Sequence, residues 1–326
     1  MTDIKARIIN QVAPDLAQVE KALEENLAPN LELVRKIASH LLFSGGKRLR
    51  PLLMIHSARI CGYDTGFEIL FSIIFEYLHA ATLLHDDVVD AADMRRGKPA
   101  AHTRWPAPQV ILTGDFLLAR ALAIAAKTRE TRVISVVANI TQAMSQGEID
   151  QLEKKGQTDL SEGQYLEIIE RKTAVLIQGA CQSGAIISKA SREKEEALAS
   201  YGYHLGMAFQ MADDLLDYTA TAQELGKNPG ADMREGKLTL PLIHSLAKAG
   251  DIDRKWMHTI IADPIFDQSR FEELKEKLFT LGGIAYTQER AKDHVTKAKE
   301  SLGLFEDSNS KDLLHLIADY SIERKV

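Results

Sequence analysis

The stretch FEILFSIIFEYLHAATLLHDDVVD, residues 67–90, is apolar for most of its length and ends with three aspartates within five positions. Its large apolar side chains recur at intervals of three and four, which predicts one long helix buried on most of its circumference. Glu76, His79, Asp86 and Asp90 are spaced three, seven and four apart and fall on one face, so a polar stripe runs along an otherwise apolar element. Asp86, Asp87 and Asp90 lie at the C-terminal end, where the helix dipole is already negative and neighbouring carboxylates repel one another. A cation has to compensate. At an effective dielectric of about 20, an unlike pair roughly 4 Å apart gains about 4 kcal/mol, so a divalent ion held by two carboxylates offsets this repulsion. Hard oxygen ligands select magnesium or a similar ion. A solvated acidic helix end would carry the same letters, and a lone D-D-x-x-D does not decide between the two.

The pattern occurs twice. In YGYHLGMAFQMADDLLDY, residues 201–218, Asp213, Asp214 and Asp217 repeat the spacing after a second apolar run, with Gln210 one turn upstream on the same side. Two such helices facing each other would make a carboxylate clamp. Magnesium dehydrates reluctantly and binds a few protein carboxylates together with phosphate oxygens, so the expected ligand is a diphosphate. Cations for its outer side are present. GGKRLRP supplies Lys47, Arg48 and Arg50 after a Gly45-Gly46 turn, DMRRGK supplies Arg95 and Arg96, and Lys172, Lys227 and Lys237 stand in helix or loop segments. Arginine forks grip phosphate through two bonds and lysine adds point charge. Lys172 stands out because its helix turns apolar straight after it, although a lysine can also lay its stem along such a face.

The rest of the chain reads as helix. Apolar residues recur at helical spacing throughout, no alternating strand pattern is found, and no proline falls between Pro108 and Pro229. The expectation is an all-α antiparallel bundle of on the order of ten helices or more, without a sheet, in one domain spanning 1–326. A net charge of -6 in 326 residues argues against a general nucleic-acid binder. Cys61 and Cys181 form neither a disulfide framework nor a metal-ligand spacing, which suits a reducing compartment. The N-terminus lacks the apolar block of a signal peptide, and charge interrupts the apolar runs before the roughly 20 residues of a membrane span, so the expected location is the cytoplasm.

GGKRLRP, LLHDDVVD, DMRRGK, GDFLLARA, QGEIDQLE, RKTAVL, FQMADDLLDY and LGKNPGADMREGKLTLPL follow one another in an order that resembles the trans-type polyprenyl diphosphate synthases, above all the long-chain members that make quinone side chains. The resemblance covers nearly the whole chain. It implies an all-α isoprenoid-synthase helical bundle around a deep central cavity, and a homodimer. It further implies that Asp86, Asp90 and Asp213 hold the magnesium that chelates an allylic diphosphate, with Asp87, Asp214 and Asp217 in support. Arg95, Lys172 and Lys237, with Lys227 near by, would contact that diphosphate. Lys47, Arg48, His79 and Arg96 would bind isopentenyl diphosphate, and Thr173 and Gln210 would steady the developing cation through their dipoles.

On that reading the allylic carbon-oxygen bond ionises, isopentenyl diphosphate attacks the cation, and each cycle adds one five-carbon unit in a site that excludes water. The product would be handed to membrane enzymes. Product length depends on what blocks the cavity. One turn before Asp86 stand Ala81 and Thr82, where short-chain makers of this family often carry an aromatic ring, so a long, octaprenyl-like product is expected. The alternatives are a shorter geranylgeranyl-type synthase and a non-catalytic partner subunit, which usually lacks aspartates from one motif. The segment PAAHTRWPAPQVILTGDF departs from the family's usual alanine- and asparagine-containing run at His102, Trp105, Pro106 and Pro108, with Trp105 expected to pack. Glu76 and His79 also match half of a di-iron motif, but no second copy occurs.

Overall fold

The computed structural model describes residues 4–27, 31–220, 229–263 and 266–323. The helices are α1 (Ile4–Leu27), α2 (Glu32–Leu42), α3 (Leu49–Arg59), α4 (Phe67–Val89), α5 (Ala101–Arg104), α6 (Ala107–Lys127), α7 (Thr131–Lys154), α8 (Glu162–Ile169), α9 (Val175–Ile187) and α10 (Arg192–Thr219). They continue with α11 (Ala231–Arg234), α12 (Leu240–Lys248), α13 (Asp251–Ile261), α14 (Gln268–Thr280), α15 (Gly283–Ser301) and α16 (Asn309–Glu323). The protein is all-α, as its periodicity requires. Chain contacts divide it into two compact units, the first made of Met1–Thr141, Leu176–Gly202 and Leu302–Ile317, the second of Gln142–Val175, Tyr203–Ser301 and Ala318–Val326.

In the first unit α4 packs against α6, α3, α1 and α2. Ile73, Ile74, Phe75, Tyr77, Ala81 and Leu84 are fully buried along it, and each large apolar side chain so placed stabilises the fold by about 1.5–3 kcal/mol. Both α4 and α6 are long and apolar enough to cross a membrane by length and composition, contrary to the expectation that charge breaks every such run. For α4 the explanation is burial, since 72% of its most apolar window lies inside the protein; for α6 the share is 39%. Arg59 of α3 donates to both oxygens of Asp15 on α1 at 2.9 Å and to Glu68 on α4 at 3.3 Å, tying the three helices together. Gly184 lets α9 lie against α3, because a Cβ there would stand 2.7 Å from the Met54 carbonyl.

One expectation fails here: Met94–Arg95 and Lys98–Pro99 form a two-stranded antiparallel hairpin. Its two central residues, Arg96 and Gly97, have φ of 51° and 72°, the pair of positive angles that the favoured two-residue hairpin turn needs. Strands of two residues are too short to show alternation, so the turn alone carried the signal.

The second unit is built around Tyr165, Met207, Met211, Tyr218, Leu242, Met257, Phe271 and Leu274. Ser161 and Gln164 start α8 with reciprocal side-chain to backbone bonds, Gln164 N–H to Ser161 Oγ and Ser161 N–H to Gln164 Oε1, a capping box that satisfies two otherwise open donors. On α10 and α15, His204 and His294 bring their Nδ1 atoms to 2.9 Å. Burial first, and then the neighbouring His204, lower His294 to about 4. The unfolded chain therefore takes up a proton near pH 6.5 that the folded chain refuses until about pH 4, so this pair's contribution is intact above pH 6.5 and is lost as pH falls toward 4. Urea midpoints measured across that window should fall with pH, and His294→Phe should flatten the decline.

Candidate functional site

The first unit gathers cations around the polar stripe of α4. Arg48, which follows the Gly45-Gly46 turn with a φ of 46°, is buried and donates to Glu20 at 2.6 Å, to Glu76 at 2.7 Å and to the Leu42 carbonyl. Its guanidinium is thus engaged by two carboxylates and the end of α2. The neighbouring Arg50 was counted among the cations of GGKRLRP but given no ligand role. Its Nε is buried without a hydrogen-bond partner, and burial, with Arg96 adding to it, lowers its pKa to about 10. Arg96 donates from the hairpin turn to the Gly45 carbonyl, and a Cβ on Gly46 would stand 3.1 Å from its Nη1. Lys47 is exposed on the same turn.

His79 sits among these charges. Burial, and then Arg50, Arg96, Arg95 and Arg48, hold it well below the usual imidazole range, so it is neutral at pH 7. Four guanidinium groups around a neutral imidazole form an environment that favours an anion. The Glu76–Arg48 ion pair and this cationic surround also exclude the di-iron reading of Glu76 and His79.

The aspartates of the first motif separate into two kinds. Asp87 is 1% exposed and receives Arg95 Nε at 2.7 Å, so its carboxylate holds the hairpin to the end of α4. Asp86 and Asp90 are partly exposed, one turn apart, and Asp90 caps the helix with its N–H on the Asp86 carbonyl at 2.8 Å. The second motif divides in the same way. Asp214 is 5% exposed and accepts from Tyr165 Oη and Gln210 Nε2, each at 2.7 Å. Burial raises it to about 7, with Asp213 and Asp217 adding to the rise against the two hydrogen bonds. Asp217 is 3% exposed and accepts the N–H groups of Ala231 and Asp232 at 3.1 and 3.0 Å, capping α11. Asp213 alone of that motif is exposed.

Around Asp214 the second unit holds a cavity of about 170 Å³, lined among others by Lys172, Thr173, Gln210, Tyr165, Lys237 and Thr239. Lys172 and Thr173 reach it because Glu170–Ala174 is a single π-helical turn inserted between α8 and α9, a device that turns side chains out of register and recurs at functional sites. Two glycines admit that turn. A Cβ on Gly206 would stand 2.5 Å from Ala174 Cα, and one on Gly147 would stand 2.8 Å from Arg171 Cβ. Lys172 pairs with Glu148 and Gln151, and Lys237 with Glu235 at 2.5 Å. Thr173 Oγ1 donates to Gln210 Oε1 at 2.8 Å. Lys154 and Lys155 also line the cavity and were not anticipated. Lys227 lies outside the described residues.

Among the described residues no three His, Cys, Asp or Glu side chains are gathered closely enough to hold a metal by themselves. Magnesium takes one or two protein carboxylates and fills its octahedron with water and phosphate oxygens. The donors are hard oxygens, and Asp87 keeps one buried oxygen without a partner. Of the departing segment, Trp105 packs edge-on against His40 with ring centres 5.3 Å apart, under the Arg104 guanidinium at 5.2 Å.

Residues 31–278 match the family model described as polyprenyl synthetase. The octaprenyl diphosphate synthase of Escherichia coli (strain K12) is 34% identical over 317 residues, 97% of this chain and 98% of its own. The geranylgeranyl diphosphate synthase of Methanosarcina mazei is 33% identical over 98% of each chain. A polyprenyl synthase from Caulobacter crescentus CB15, solved with calcium and isoprenyl diphosphate, superposes with a TM-score of 0.93 at 36% identity over 98% of both chains. Its all-α isoprenoid-synthase fold is the fold of this protein. The chain belongs to the polyprenyl synthetase family of trans-prenyltransferases, enzymes that transfer prenyl groups.

Proposed function

We propose that this enzyme elongates an allylic prenyl diphosphate, such as farnesyl diphosphate, with isopentenyl diphosphate to a long-chain all-trans product of octaprenyl type, with magnesium as cofactor. Residues 1–326 act as one synthase domain. The observation that carries this reading is the division within each aspartate motif: Asp87, Asp214 and Asp217 are buried on protein donors, and Asp86, Asp90 and Asp213 are partly or fully exposed. Asp86, Asp90 and Asp213 would hold magnesium. When bound, the metal supplies Lewis-acid stabilisation of the diphosphate leaving group.

The remaining chemistry belongs to this chain's side chains. Lys172 and Lys237 neutralise the allylic diphosphate, exchanging Glu148 and Glu235 for phosphate oxygens, and Arg95 is a further cation proposed for that substrate. Arg50, Arg96 and Lys47 take the isopentenyl diphosphate with His79, and Arg48 positions them through Glu20 and Glu76. Thr173 and Gln210 present oxygen dipoles to the developing allylic cation. The apolar residues of α4 would line the space for the growing hydrocarbon and exclude water.

A homodimer is supported by α6, which leaves Ile111, Leu112 and Leu122 exposed, apolar area that a second copy would cover. A cytoplasmic enzyme making a quinone side chain for membrane enzymes is the setting this product suits. A geranylgeranyl-type product is the second reading, favoured by the Methanosarcina mazei relative at 33% identity.

Purified protein given farnesyl diphosphate, labelled isopentenyl diphosphate and magnesium should produce a ladder of prenyl diphosphates that a chelator abolishes. Asp86→Ala and Asp213→Ala should each lower turnover by about 100-fold or more while leaving the unfolding midpoint unchanged. Near-normal turnover in both would contradict the metal assignment. Length has its own test. Ala81 is fully buried, so Ala81→Phe should shorten the longest product on thin-layer or reversed-phase separation, and an unaltered ladder would show that the chain grows along another wall.

A further inference from the structure

The polar groups lining the cavity of the second unit form one hydrogen-bond chain with a direction. Tyr165 Oη donates to Asp214 Oδ2 at 2.7 Å, Gln210 Nε2 donates to Asp214 Oδ1 at 2.7 Å, and Thr173 Oγ1 donates to Gln210 Oε1 at 2.8 Å. Tyr165 is 3% exposed and lies in the core of the unit, so its hydroxyl has no bulk water to turn to. Both Asp214 oxygens accept here, one from Tyr165 and one from Gln210, and the Gln210 amide therefore faces Asp214 with its NH2. The Gln210 carbonyl oxygen is thereby turned to Thr173. A threonine hydroxyl has a single hydrogen, and here it is committed to Gln210, so Oγ1 has only lone pairs left for the cavity.

We propose that Tyr165 and Asp214 are positioning residues that lock the polarity of this chain, so that Thr173 meets the allylic carbon as an acceptor and never as a donor. This rests on the prenyl-transfer reading above and adds to it a reason for the second aspartate of the motif. An oxygen held with its lone pairs outward stabilises positive charge without having to reorganise when that charge appears. A hydroxyl free to rotate would place its hydrogen toward the cation in part of the population and lose that stabilisation. On this account Asp214 acts through Gln210 and does not bind metal. Tyr165, seven residues before Lys172, is set in place by the capping box of α8, and Gly206 brings α10 close enough for the bonds to form.

The wild-type enzyme is assayed first for magnesium-dependent condensation of farnesyl and isopentenyl diphosphates; failure there overturns the prenyl-transfer reading and this proposal together. Tyr165→Phe keeps the ring and removes one donor, and Asp214→Asn keeps the volume and lets an amide face Gln210 Oε1. Each should lower kcat by about 10- to 100-fold, the loss usual when the outer partner of an active-site group is removed. KM for both diphosphates and the half-saturating magnesium concentration should stay within about twofold, because uniform binding is untouched. The share of farnesyl diphosphate lost to water as alcohol should rise relative to condensation, a change that mere loosening of the fold would not select. Unfolding midpoints establish that the variants fold, and if only one does, it alone decides. A wild-type kcat in Tyr165→Phe overturns the proposal. So does a large rise in the magnesium requirement of Asp214→Asn with an unchanged partition to water, which would make Asp214 a metal ligand.

Discussion

Burying like charges next to one another is the constraint on which the rest of this structure depends. Carboxylates close the apolar helix α4 and recur at the C-terminal end of α10, where the dipole opposes them, and guanidinium groups crowd a neutral His79. A fold selected only for stability would disperse such groups. Each cluster is tolerable because part of it is neutralised inside the protein: Arg95 on Asp87, Glu20 and Glu76 on Arg48, Glu148 on Lys172. On the proposed function the remainder serves a ligand that carries both kinds of complement, a polyanion and the divalent cations that accompany it.

Backbone geometry follows from the same requirement. Arg48 and Arg96 both adopt positive φ, a conformation that costs non-glycine residues energy and persists where surrounding contacts over-determine it. Arg48 is held by carboxylates and a helix end, Arg96 by the carbonyl of Gly45. The π-helical turn at Glu170–Ala174 is a comparable local irregularity, placed where Lys172 and Thr173 must leave the packed face of their helix and line the cavity.

The helical class, the long α4 helix and the paired aspartate motifs were legible in the sequence because each is a matter of periodicity or of fixed spacing on one face. Which aspartate in each motif turns inward was not legible, since D-D-x-x-D is the same string whether Arg95 or solvent meets the second position. Arg48 and Arg50 stand in the same GGKRLRP segment, and only the reach of Glu20 and Glu76, distant in sequence, distinguishes the engaged arginine from the one facing His79. The hairpin at Met94–Pro99 was missed because its evidence is one turn, Arg96-Gly97. Gly147 and Gly206 were visible as glycines inside helical runs, a pattern that signals close approach, but what approaches them could be known only from the fold. Tyr165 gave no signal at all: a tyrosine at helical spacing reads as core, and it is core, with its hydroxyl directed at Asp214.

On the proposed function these charge clusters are complementary to a metal-bound diphosphate and to neither component alone. Thermal unfolding of the protein with inorganic diphosphate, with magnesium, and with both together tests it most directly. A ligand that binds only the folded state at about 100 times its dissociation constant adds about 2.7 kcal/mol of stability. The two together should raise the midpoint by clearly more than the sum of their separate effects, and Asp213→Ala should remove this excess. An equal midpoint under all three conditions, or a shift with magnesium alone that diphosphate does not enlarge, would contradict it.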